Sequence, residues 1–149
     1  MKKPPLGWPR ISVAVFYDDA IAAIDWLCRA FAFEVRLKVL SPEGKLQHSE
    51  LLYGEGVIMV GQNGKSADPT RLTCSPRSIG GANTQSIMIY VDEVDAHCAR
   101  ARSAGARIDS EPTLHDYGED YWADRSYAVR DLELHQWWFT QRIREQIKK

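Results

Sequence analysis

The chain runs through one order of local patterns twice, and this limits the folds open to it more than any single motif does. Residues 10–40 pass from a short β-type segment through the acidic turn Asp18-Asp19 into an Ala-rich helical stretch, then into another β-type segment. Residues 85–114 repeat the order around the turn Asp92-Glu93. Carboxylates are favourable at the positive end of a helix dipole, so both turns read as helix starts. Ala20, Ile24, Leu27 and Phe31 recur at helical spacing in the first helix. Val94, Cys98 and Ala101 do so more weakly in the second, which Gly105 ends.

Three strand-like runs follow each helix. The first half gives "FEVRLKVL", "LQHSELLY" and, after a "GEG" turn, "VIMVG"; the second gives "ARIDSEPTL", "YWADRSYAVR" and, after the turn at Asp131, "LHQWWFTQ". Each half therefore reads β-α-β-β-β. The chain is expected to be one domain over residues 1–149, with a first unit at 10–61, a Gly-, Ser-, Pro-, Thr- and Asn-rich connection at 62–84, and a second unit at 85–140. A half of about 60 residues makes a marginal core alone, so the units should pair.

With 19 Lys and Arg against 20 Asp and Glu, the chain has no net field to draw nucleic acid or an anionic membrane. No run of 18 apolar residues occurs, and "MKKPPLGWPR" lacks an apolar h-region, so a cytoplasmic protein without membrane attachment is expected. Cys28, Cys74 and Cys98 are odd in number, widely spaced and without CxxC; Cys28 and Cys98 read as small thiols inside helices. The basic end "QRIREQIKK" reads as a solvated tail. The sequence has no glycine-rich phosphate loop, no G-x-S-x-G and no H-E-x-x-H.

The segments "YDDAIAAIDWLCRAFAFEV", "VDEVDAHCARARSAGA" and "YWADRSYAVRDLELHQWWF" resemble the vicinal oxygen chelate superfamily, which includes glyoxalase I, bleomycin resistance proteins and extradiol dioxygenases. The resemblance covers residues 10–140 and is similar to an uncharacterised glyoxalase-like branch, in which a D-P-x-G-H turn precedes a Trp-rich last strand. Here the turn is D-L-E-L-H, with Leu132 and Leu134 where Pro and Gly would stand. The resemblance implies an α+β fold of two tandem βαβββ units whose curled mixed sheets surround a cavity, and it implies a homodimer.

Metal-dependent members of that superfamily carry His or Gln in the first strand of each unit and Glu in the last. Counting back from the acidic turns places Ser12 and Ser86 at the first-strand positions, with Met59 and Trp138 at the last-strand ones. These side chains offer neither imidazole nor carboxylate, so no metal cofactor is expected; the alternative is a divalent ion held by ligands elsewhere.

Alternation along a strand puts Leu134, Gln136 and Trp138 on one face and His135, Trp137 and Phe139 on the other. With Trp138 inward, His135 and Glu133 become structural. The same parity sends Ser12, Ala14 and Phe16 inward from the first strand, joined by Val57 and Met59, and Ser86, Met88 and Tyr90 from its counterpart. The expected ligand-binding set is thus Ser12, Phe16, Met59, Ser86, Met88, Tyr90, Gln136 and Trp138. Such a lining suits a protein of the glyoxalase and bleomycin-resistance type that binds a small, mainly apolar or aromatic organic molecule. Two alternatives stay open: these side chains fill the space themselves, or the chain is a metal-dependent or His-based lyase, isomerase or dioxygenase.

For the His-based reading the candidates are His48 and Glu50, an acid/base pair if their face of "LQHSELLY" points inward, which the pattern leaves open. Arg125 is either a carboxylate clamp or, the favoured reading, half of an ion pair with a neighbouring strand. "LHDYGEDYW" reads as a mobile acidic loop near the cavity mouth, and the arm "GWPR" covers an open edge or packs on its own chain.

Overall fold

The computed structural model describes residues 1–64 and 72–146. The first unit comprises β1 (Val13–Tyr17), α1 (Ala20–Phe31), β2 (Glu34–Leu40), β3 (Leu46–Tyr53) and β4 (Gly56–Gln62). The second comprises β5 (Ile87–Tyr90), α2 (Val94–Ser103), β6 (Arg107–Asp116), β7 (Ala123–Arg130) and β8 (Gln136–Arg144), after a 3-10 turn at Pro76–Ile79. The α+β arrangement of two tandem βαβββ units is the one the sequence pattern implied. Part of the 62–84 connection, residues 65–71, lies outside the described residues.

Each unit makes one mixed four-stranded sheet, ordered β1-β4-β3-β2 and β5-β8-β7-β6, with the first pair parallel and the others antiparallel. Among the described residues the two sheets stay separate and do not close around one cavity. Their free edges are β1 and β2 in one sheet, β5 and β6 in the other.

The helices start by different means. Asp19 caps α1 through its own carboxylate, Oδ1 accepting from Ala22 N–H at 3.0 Å. Glu93 makes no such bond in α2. Both helices share a second device: Gln62 Oε1, at the end of β4, accepts from Ala20 N–H (3.3 Å), and Gln141 Oε1, in β8, accepts from Val94 N–H (3.1 Å). Each unit thus satisfies an orphan helix donor from its own last strand.

One apolar core joins the units. Ala20, Ile24, Leu27 and Phe31 of α1 are fully buried with Val94 and Ala101 of α2, against Val15, Leu51, Val60, Tyr127, Trp137 and Phe139. The Phe31 ring lies 5.6 Å from Trp137 and 4.8 Å from Phe139, so a first-unit aromatic packs among second-unit aromatics. His97 of α2 sits in this core; its Nδ1 accepts from Tyr127 Oη (2.7 Å) while its Nε2–H donates to Phe31 O (3.1 Å). Burial holds its imidazole below the usual value, so the ring is the neutral one these bonds require.

Two sequence readings are corrected. The basic end is not a solvated tail from residue 141, because β8 continues to Arg144: Arg142 Nε donates to Asp124 Oδ1 (2.6 Å) and Arg144 donates to both oxygens of Asp116. The acidic loop is shorter than expected, since β6 absorbs His115 and Asp116.

Candidate functional site

Strand register decides which side chains face away from the core. Leu51 pairs with Ile58 and both are core residues, so the alternate row of β3, His48, Glu50 and Leu52, shares the opposite face with Val57 and Met59 of β4. Register with β2 adds Leu37 beside Glu50 and Val39 beside His48. β1 contributes Ala14, paired with Met59, and Phe16, paired with Gly61. A Cβ at Gly61 would stand 2.8 Å from the Phe16 ring, so glycine there makes room for the aromatic. The face of β3 that the sequence left open is therefore settled: His48 and Glu50 point to the inner, core-distal face.

That face carries a polar line. Glu50 is buried, with Oε1 2.9 Å from His48 Nε2 and Oε2 3.2 Å from Arg36 Nε. Arg36 also donates to Gly7 O, and its guanidinium lies over the Trp8 ring at 5.3 Å. The N-terminal arm thus packs on its own chain, on the inner face of the first sheet.

The inner face of the second sheet is different. A pocket of about 380 Å³ is lined by Trp138, Met88, Tyr117 and His115, with hydroxyls from Ser86, Ser126 and Thr140 and the carboxylate of Asp124. Asp124 is held by Arg142, which also donates to Tyr90 Oη (2.7 Å) and lies over the Tyr90 and Trp122 rings. The wall is aromatic and hydroxylic, its one carboxylate neutralised from within.

The structure brings Ser86, Met88 and Trp138 together in this pocket, with Tyr90 beside it on Arg142. Gln136 stays at the start of β8, where Asn83 holds its N–H. Phe16 and Met59 lie on the other sheet; Ser12, just before β1, donates from Oγ to Val57 O and lines a groove together with Met88 and Tyr90. Asp124, Ser126 and Thr140 were missed, whereas His115 and Tyr117 belong to the stretch placed near the cavity mouth. The signal was available for β7, where core residues Tyr127 and Val129 fix Asp124 and Ser126 on the opposite face. Arg125 falls on the core-side row and pairs with Asp95 of α2, a helix rather than a strand (2.9 and 2.8 Å).

The registers pair Ala14 with Met59 and Met88 with Trp138, so Met59 and Trp138 hold equivalent places in the two units. At the Met59 place a divalent ion would meet a thioether and the Ser12 hydroxyl; at the Trp138 place it would meet an indole and the Ser86 hydroxyl, with only His115 and an Asp124 already held by Arg142 in the same pocket, so neither place offers the ligand set such an ion needs. Among the described residues no three of His, Cys, Asp and Glu are grouped as a metal would need.

The stretch from Asp131 to His135 has a structural task. Glu133, buried, accepts from the backbone N–H groups of Asp18 (2.7 Å) and Asp19 (3.0 Å) at the start of α1. His135 Nε2 is 2.8 Å from Phe16 O. Asp131 closes the turn by accepting from Glu133 and His135 N–H at Oδ1, and from Tyr17 Oη and Trp137 Nε1 at Oδ2. Burial and the adjacent Asp131 carboxylate push the Tyr17 hydroxyl well up, which keeps it a donor. Leu134, at the glycine position of the related turn, adopts φ 73°, a strained conformation that these bonds overcome.

Paired βαβββ units with open inner faces define a class of protein, and sequence comparison places the chain within it. Residues 11–139 match the Glyoxalase/Bleomycin resistance protein/Dioxygenase superfamily, and the chain belongs to that superfamily. It is 33% identical to the uncharacterized protein Mb0911c of Mycobacterium bovis over 143 residues, which is 92% of this chain and 86% of that one. Among solved structures it is similar to TioX from Micromonospora sp. ML1, with 34% identity and a TM-score of 0.63 over 89% of this chain and 95% of the other. The fosfomycin resistance protein FosX from Mesorhizobium loti shares the fold, with 14% identity and a TM-score of 0.57 over 89% and 91%.

Proposed function

We propose that the chain binds a small, planar aromatic or apolar organic molecule against the inner faces of its sheets, without a resident metal. The carrying observation is Trp138, which presents its indole beside Met88 in a pocket rimmed by Ser86, Ser126 and Thr140. An aromatic face stacks on planar ligands, while hydroxyls orient a polar substituent without imposing charge. Each inner face is only half of an enclosure, and a homodimer would complete it. A groove of about 640 Å³ runs between the free edges β1 and β5, where Ile11, Met88 and Tyr90 are 87%, 56% and 48% exposed. Unpaired strand edges beside apolar side chains favour a second copy as cover.

Three unpaired cysteines fit a reducing cytoplasm. No helix among the described residues is long and apolar enough to cross a membrane.

Titration with a naphthalene probe, followed by tryptophan quenching, tests the reading. Trp138→Ala should weaken binding about tenfold, the worth of one good aromatic contact. Unchanged affinity in that variant would overturn the assignment. Stoichiometric metal in tag-free protein would overturn the metal-free part, and a monomer in sedimentation the homodimer.

A further inference from the structure

On the inner face of the first sheet, His48 is fixed at one ring nitrogen and open at the other. Glu50 is buried and bridged by Arg36, and as a carboxylate it can only accept, so the hydrogen bond between them places a proton on His48 Nε2. In the uncharged ring the lone pair is then on Nδ1. The His48 side chain is 43% exposed, and Nδ1 has no hydrogen-bond partner among the described residues. Phe16, Met59 and Leu52 occupy the same face. An apolar wall thus carries a single oriented acceptor, held by a carboxylate that a guanidinium holds in turn.

We propose that His48 Nδ1 accepts a hydrogen bond from an acidic hydroxyl on the bound molecule, so that the ligand class is a phenol or enol rather than a plain ring. Glu50 and Arg36 are positioning residues: they set the tautomer and the ring's aim. The inference rests on the reading of the inner faces as ligand-binding surfaces, and it adds the group that chooses among aromatic ligands. A ring-nitrogen lone pair matches a hydroxyl donor, whereas a carboxylate or ether offers it no proton.

The test compares 2-naphthol with 2-methoxynaphthalene, matched in ring and different in the donor. The full-length protein should prefer 2-naphthol about tenfold, the upper worth of one net hydrogen bond. His48→Ala should abolish that preference, lowering the affinity for 2-naphthol about tenfold more than that for 2-methoxynaphthalene, with an unchanged circular dichroism spectrum showing that the variant is folded. Glu50→Gln, which weakens control of the tautomer, should retain only part of it. Equal binding of both probes, or a preference that survives in His48→Ala, overturns the role of His48 while the aromatic site stands. A full preference in Glu50→Gln overturns the positioning role. Failure of both probes to bind overturns the inference together with the reading beneath it.

Discussion

The two units share a framework and differ in their walls. In both, a glutamine of the last strand holds the first amide of the helix, Gln62 for Ala20 and Gln141 for Val94. In both, the first and last strands run parallel in the same register. Yet Met59 stands where the second unit has Trp138, and the charged line Arg36–Glu50–His48 has as its opposite number an Asp124–Arg142 pair set among hydroxyls and rings. Backbone donors must be satisfied in any copy of the unit, which holds the framework constant. Side chains on an inner face carry no core, so they can diverge into different chemistry.

The sharpest way to break this comparison lies in neighbouring residues. Trp137 is fully buried, and Trp137→Ala should cost about 4 kcal/mol, with its counterpart Ile58→Ala costing about 3 kcal/mol. Trp138→Ala should cost under about 1.5 kcal/mol, because that ring lines a pocket. Urea unfolding of the three variants measures the contrast; equal losses at 137 and 138 would place Trp138 in the core.

A second effect concerns the joint between units. The ordinary imidazole value is 6.5, and burial holds folded His97 below it. Below pH 6.5 the unfolded chain therefore binds more protons at this site, so the stability is present above that pH and lost as pH falls through the window beneath it. The urea midpoint should drop from pH 7.5 to pH 5.5, and His97→Gln should flatten the drop.

The smallest effect tests the shared framework directly. Gln62→Ala and Gln141→Ala should each cost about 1 kcal/mol, as lost helix-start acceptors do. Gln62 should cost more, since it also donates to Asp18 O. Thermal unfolding compares the two, and a silent Gln141→Ala would end the equivalence.

Periodic segments were legible in the sequence because burial imposes the period. Among the described residues the eight strands and two α-helices lie where alternation and helical spacing put them, with ends shifted by a few residues. Charge misled at the end of β8, where Arg142 and Arg144 look solvated but alternate onto Asp124 and Asp116. The inner face of β3 was not legible, because apolar residues occupy both rows and only pairing with β4 separates them. The turn at Asp131 and the structural part of Glu133 and His135 were legible, but their partners were not, lying more than 110 positions away in Phe16, Asp18 and Asp19. Local rules describe what a residue prefers, and this turn is stabilised by groups that the chain delivers from its other half.

Glu133 has a further consequence, for the order of events during synthesis. The first unit is made first, yet the amides of Asp18 and Asp19 receive their acceptor only from residue 133. A nascent chain that has released only its first half leaves that helix start without the carboxylate that completes it. Chains normally fold domain by domain from the N-terminus. This one should stay unfinished until its last hairpin leaves the ribosome, and then close both units in a single cooperative step.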